Sequence, residues 1–242
     1  MKYFAIMRDG YSDYCVLKYF ISAIFQNHCS TELAEDSFFD LEQLNISNAV
    51  AKYVSKTDKK KDYSLYNSYA ADLRTSIITI LFTALKKFEK EKDTNLSNRD
   101  VLIINADAEK ILKEKHNYFE DWAYIFDNVL WLAIEEFYDK MVVNGYSYEN
   151  LPLILPIILF PSSEILVAAC MYNFNRENFR NLKAKPYLKQ KVYDTDSIPE
   201  AIESGKFHET LSTFIIPESV KEVYKEIPEA RKLIQLLSFI ER

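Results

Sequence analysis

The chain has 242 residues, 48% of them hydrophobic and 27% charged, and carries a formal net charge of −6. This balance excludes bulk disorder and allows either one large core or a core of about 170 residues with a small appendage. The negative charge argues against generic coating of nucleic acid, which draws its affinity from Lys and Arg on phosphates. With Gly10, Gly145 and Gly205 as its only glycines, the chain lacks the glycine-rich phosphate cradles of P-loop and dinucleotide-binding proteins.

The first element is a short apolar strand, Tyr3 to Met7, followed by Arg8-Asp9-Gly10-Tyr11-Ser12-Asp13. Val16, Leu17, Phe20, Ile21, Ile24 and Phe25 then recur at helical spacing, so the pattern reads strand, tight turn, helix. Gly10 is expected to permit the bend, and Ser12 or Asp13 to accept from the free N–H groups at the helix start. Residues 30 to 66 give weaker signals: a strand near Ser37 to Leu41, a short helix over Ile46 to Val54 and a polar loop from Lys56 to Tyr66.

A long helix is predicted from Ser68 to Glu91, with Leu73, Ile77, Leu81, Leu85 and Phe88 on one face. Lys86, Lys87, Lys90 and Lys92 fall where cations complement the negative end of a helix. Val101-Leu102-Ile103-Ile104 is too short for a helix and suits a buried strand of a parallel sheet, ending in Asn105-Ala106-Asp107-Ala108-Glu109. The next helix runs from about Phe119 to Val142. Trp122, Phe126, Val129, Ala133 and Phe137 form its stripe, and Ile125, Leu132 and Ile134 widen it.

Leu151 to Met171 is the one membrane-like run, but Pro152, Pro156 and Pro161 followed by Ser162-Ser163-Glu164 argue against a spanning helix. It reads as a strand over Pro156 to Phe160, starting at the proline because that residue cannot donate in mid-ladder, and then a helix from Ser162 to about Phe174. Beyond Asn175 the pattern is charged loop with short helices near Val220 to Tyr224 and Ala230 to Ile240. The fold expected is therefore α/β, a mostly parallel sheet flanked by helices, with residues 1–175 as the core and residues 176–242 as a small helical C-terminal appendage.

Cys15, Cys29 and Cys170 form no CxxC pair, and His28, His116 and His208 do not complete a zinc pattern. Scattered cysteines and early charge in the N-terminal run point to a cytoplasmic protein with no membrane association. Lys59-Lys60-Lys61 and the series Lys183, Lys185, Lys189, Lys191 read first as solvated faces.

Chemistry is expected where the strands end, since open α/β sheets gather functional groups at their carboxyl edge. Asp9, Asn105, Asp107 and Glu164 all lie just past predicted strand ends. Carboxylates converging from separate strands are what a hard divalent ion requires. Each acid also has a structural explanation: Asp107 as a helix cap, Glu109 and Glu164 as first-turn residues, Asp9 as a turn former.

Three segments together resemble the TOPRIM family. Arg8-Asp9-Gly10-Tyr11-Ser12-Asp13 resembles its Glu-Gly-x-x-Asp opening, and Asn105-Ala106-Asp107-Ala108-Glu109 its Asp-x-Asp element, in either of the registers Asn105/Asp107 or Asp107/Glu109. Phe160-Pro161-Ser162-Ser163-Glu164-Ile165 is similar to the Pro-x-x-Glu helix start of the OLD and RloB-like nucleases. The resemblance covers roughly residues 1 to 175 and implies a TOPRIM-like fold with Mg²⁺- or Mn²⁺-dependent cleavage of DNA or RNA phosphodiesters. It implies Asp9, Asp107 and Glu164 as the catalytic acids and Asp9, Asn105, Asp107 and Glu109 as metal ligands, with Asp13 as a further member.

Nucleases of this kind work beside an ABC-type ATPase in anti-phage defence, which implies such a partner here. Aspartate stands at position 9 where the family has glutamate, and in the first register Asn105 stands where it has aspartate. A catalytically inactive, TOPRIM-derived regulatory or partner-binding subunit is therefore the alternative. A restriction-type site fits less well, because Glu89-Lys90-Glu91-Lys92 lies on a predicted helix.

Overall fold

The computed structural model describes residues 2–42, 46, 66–107, 119–159, 162–171, 175, 184–195 and 197–239. Among the described residues four strands form one sheet: β1 (Phe4–Met7), β2 (Phe38–Leu41), β3 (Val101–Asp107) and β4 (Leu153–Leu159), in the order β2-β1-β3-β4. The sheet is parallel throughout and flanked by helices, the α/β class the sequence predicts. Phe4, Ala5, Ile6 and Met7 are all buried, as expected of a central strand with both faces covered.

The helices among the described residues are α1 (Tyr11–Cys29), α2 (Tyr66–Lys92), α3 (Phe119–Val143), α4 (Glu164–Cys170), α5 (Ala184–Tyr193), α6 (Ile198–Glu203), α7 (Lys206–Phe214), α8 (Val220–Glu226) and α9 (Pro228–Phe239). The C-terminal part is thus helical, and the patterns near Val220 and Ala230 become α8 and α9. None of these helices is long and apolar enough to cross a membrane. The apolar run 151–171 divides between β4 and α4.

The chain groups into two compact units. The first comprises Met1–Asp9 and Asp36–Ile158. In it Leu73, Ile77, Leu81, Leu85 and Phe88 of α2 are buried, as the 3.6-residue period requires. Phe82 meets Phe137 of α3 edge-on at 5.0 Å between centroids, and Phe88 meets Phe39 of β2 at 5.7 Å. Tyr138 of α3 is a clasp: its hydroxyl donates to the Pro152 carbonyl at 2.7 Å and accepts from the Ile154 N–H at 2.9 Å, fixing the start of β4.

Several local expectations are corrected in this unit. β3 runs on to Asp107, so Asn105 is part of the strand and not past its end. β4 begins at Leu153, which places Pro156 inside the strand. That is tolerated because β4 lies at the sheet edge, where one row of N–H groups has no neighbouring strand to serve. Leu132, assigned to the buried stripe of α3, is 49% exposed, while Val129, Ala133, Ile134 and Phe137 carry the packing. Trp122, Ile125 and Phe126 are outside the residues whose side chains are described. Lys92 does more than face a helix terminus, since it is half-buried and pairs with the fully buried Asp100 at 2.7 Å, and Asp100 also accepts from the Ser97 N–H.

The second unit comprises Gly10–Glu35 and Leu159–Arg242. Here α1 packs against α4, α8 and α9, and α4 against α5. Phe20, Ile21, Ile24 and Phe25 of α1, Leu233 and Leu237 of α9 and Leu166 and Val167 of α4 supply its core. Tyr193 and Phe207 stack across the α5 and α7 helices at 5.1 Å.

Candidate functional site

In the first unit, β1 and β3 are hydrogen-bonded neighbours with Met7 paired to Ile104. Both chains therefore leave the sheet at the same carboxyl edge, one strand spacing of about 4.8 Å apart. Asp9 follows β1 by two residues, and Asp107 ends β3 three residues after Ile104. The sequence-predicted pairing of an acidic turn with the Asn105–Asp107 element is thus a pairing of adjacent strand ends. The side chain of Asp107 and the whole of Glu109 lie outside the described residues.

Asn105 is the unusual member. It is 2% exposed, and among the described residues neither its amide nitrogen nor its amide oxygen has a hydrogen-bond partner. Leaving a buried amide unsatisfied costs roughly 1–3 kcal/mol, so such groups are few in native proteins and call for an explanation.

One feature of this edge escaped the sequence. Arg8, next to Asp9, donates from Nε to Asp40 of β2 at 2.7 Å, and its guanidinium reaches Glu42 at 3.6 Å. The register pairs Ile6 with Asp40, so the partner sits on the neighbouring strand two residues back. Only strand pairing could reveal this, because the two residues are 32 apart in sequence. The network fixes the exit of β1 and sets the backbone from which Asp9 projects.

In the second unit the acids are engaged by neighbours of their own. Gly10 is the N-cap of α1 with φ −138°, an extended conformation open to any residue, so the expectation that Gly10 supplies a special bend does not hold. Among the glycines, the positive φ values belong to Gly145 and Gly205. Asp13, at the third position of α1, accepts from the Gly10 N–H at 2.7 Å with Oδ2 and from Ser163 Oγ at 2.5 Å with Oδ1. It thereby satisfies a free donor of the helix start and ties α1 to the residue before α4.

Glu164, the first residue of α4, is 1% exposed and accepts from the Ser162 hydroxyl. Tyr193 at the end of α5 is also buried, and its hydroxyl has no hydrogen-bond partner among the described residues. Burial foremost, and then the negative charges of Glu164, Asp13 and Cys15, push its phenol far above the ordinary range, so it keeps its proton. Burial likewise pushes the Cys170 thiol up to about 11 against a hydrogen bond with Ser219, which leaves no thiolate nucleophile at neutral pH.

Among the described residues no group of three or more His, Cys, Asp or Glu side chains is placed to hold a metal ion. The donors that bear on the expected Mg²⁺ are therefore those at the β1 and β3 ends. The Asp9 carboxylate and the Asn105 amide oxygen are hard donors, the class that Mg²⁺ takes, but the described side chains do not complete a set of three. No family model, curated protein or solved structure matches the chain.

Proposed function

We propose that this protein is a TOPRIM-like, metal-dependent nuclease subunit that cleaves nucleic-acid phosphodiesters, acting in the cytoplasm with an ABC-type ATPase in anti-phage defence. The observation that carries the reading is the adjacency of β1 and β3, which brings the backbones of Asp9 and Asp107 to one edge of a parallel sheet. In such sheets ligands bind at that edge. In the Asp107/Glu109 register, Asp9, Asp107 and Glu109 are the residues that would hold Mg²⁺ or Mn²⁺, with Asn105 beside them. When bound, the ion would polarise a phosphoryl oxygen and ease ionisation of a bound water. The chain's own contribution is orientation: Arg8 fixes the exit of β1 through Asp40, and β3 carries Asp107 to its last residue.

The test compares wild type with Asp107→Ala in Mg²⁺ and in Mn²⁺, on single- and double-stranded DNA and on RNA. A fall of 100-fold or more in cleavage is expected, since misplacing or losing one positioned group costs on that order. Equal activity in the two proteins, or none in either even with a cognate ATPase, sinks the catalytic reading.

A second reading, an inactive subunit that binds or regulates a partner, is favoured by the neutral Asn105 amide and by the prior engagement of Asp13 and Glu164 by serine hydroxyls. Biological function retained in an Asp9→Ala, Asp107→Ala double variant would select it.

A further inference from the structure

Asn105 carries the strongest unexplained signal in the first unit. Its side chain sits near the carboxyl end of β3, is 2% exposed, and presents one donor group and one acceptor, both without partners among the described residues. A purely structural position would be filled more stably by an apolar residue, because a buried amide that gains no hydrogen bond retains its desolvation cost. The neighbouring positions follow that rule: Ile103 and Ile104 are fully buried and Ala106 nearly so. A polar residue kept among them at a loss of stability is the signature of a functional position.

The amide's chemistry limits what it can meet. Nδ2 donates only, and therefore requires an acceptor oxygen; Oδ1 accepts only, and requires an O–H or N–H. A neutral amide is also a poorer partner for a divalent ion than a carboxylate, which removes the simplest reason for its presence. A phosphate group accompanied by a hydrated cation supplies both partners, an anionic oxygen for Nδ2 and a water hydrogen for Oδ1. Arg8 follows the end of β1 at Met7, which pairs with Ile104, the residue before Asn105. Its charge is committed to Asp40 and Glu42, so it is not the phosphate's direct clamp.

We infer that Asn105 is a positioning residue that donates from Nδ2 to a phosphate oxygen of the ligand and does not itself ligate the metal. The inference rests on the nuclease reading for the site, and its test separates the two. Thermal unfolding is followed for wild type, Asn105→Asp, Asn105→Leu, Asn105→Ala and Asp107→Ala, each without additive, with Mn²⁺, and with Mn²⁺ plus inorganic phosphate. In wild type, Mn²⁺ raises Tm and phosphate raises it further. Asn105→Asp keeps or enlarges the Mn²⁺ shift and loses the phosphate increment, because a carboxylate repels phosphate and has no N–H. The Leu and Ala variants lose the phosphate increment as well, and at least one of them, without additive, melts no lower than wild type.

A phosphate increment that survives in Asn105→Asp and Asn105→Leu overturns the inference and leaves the metal reading standing. So does a Tm loss of more than about 4 °C in both apolar variants without additive, on the scale of about 1 kcal/mol or more for a chain of this size, because that would show the amide bonded within the fold. A wild type that responds to neither Mn²⁺ nor phosphate, or an Mn²⁺ shift unchanged in Asp107→Ala, overturns the reading of the site itself and this inference with it.

Discussion

The end of β3 in the first unit and the helix starts of the second unit both bury polar side chains, but on opposite terms. Asp13 has hydrogen bonds at both oxygens, from Gly10 and Ser163, and Glu164 is bonded by Ser162. Asn105 is buried to the same degree with neither amide atom bonded. The difference separates polar groups that hold the fold from one that the fold tolerates. A carboxylate completing a helix start and a neighbouring hydroxyl stabilises through charge-assisted bonds, each worth more than a neutral one. An amide left unsatisfied retains its desolvation cost and calls for a partner outside the described side chains.

The largest expected effect that sharpens this comparison is at Asp13. Asp13→Ala leaves the Gly10 N–H and the fully buried Ser163 hydroxyl without their acceptor, and should cost about 3 kcal/mol in denaturant unfolding. A loss below about 1 kcal/mol would place Asp13 with the functional groups and break the contrast.

Next comes Tyr138, a satisfied hydroxyl within the first unit itself. Tyr138→Phe strands the Pro152 carbonyl and the Ile154 N–H and should cost about 2 kcal/mol. Its phenol, pushed up to about 12 by burial from an ordinary value of 10.0, adds a pH signature. Because the folded state holds the proton more tightly, the stabilisation is fully present below pH 10 and is lost as pH rises from there through about 12. Stability measured across that window should fall less steeply in Tyr138→Phe than in wild type, and identical slopes would contradict the assignment.

The smallest effect is at Tyr193, the unsatisfied group of the second unit. Tyr193→Phe removes a buried hydroxyl that has no hydrogen bond, so stability should stay level or rise by up to about 1 kcal/mol. A loss larger than that would reveal a bonded group, and would leave Asn105 as the only orphan among those compared.

Much of the fold was legible because its signals are local. The strand 3–7, the helix that follows it, the helix over 68–91 and the run Val101 to Ile104 each announce themselves by period and by bounding charges, and the structure places β1, α1, α2 and β3 there. Errors gathered where the answer depended on distant chain. Pro156 was read as a strand start because a proline cannot donate, yet β4 is an edge strand and accommodates it internally. Leu132 fits the helical stripe by spacing and is nevertheless half exposed, since spacing defines a face but not how wide the neighbour covering it is. Gly10 suggested a strained bend, but its φ is ordinary, and its role is to offer an N–H to Asp13.

The site divides in the same way. The sequence marked Asp9, Asn105, Asp107 and Glu164 as polar residues at element ends, and it could do so because strand ends and helix starts carry recognisable residue types. It could not show that Arg8 is tied to Asp40, that Ser163 is bonded to Asp13, or that Lys92 neutralises Asp100.

What the sequence by itself determined, then, is the parallel α/β character of the chain and the places where polar residues interrupt its apolar elements. Both follow from periodicity and turn chemistry within a few residues. Only the tertiary structure decided which of those polar residues are satisfied. Hydrogen bonds and ion pairs are short-ranged in space but link residues as far apart as Asp13 and Ser163 in sequence, and no local pattern encodes who the partner will be.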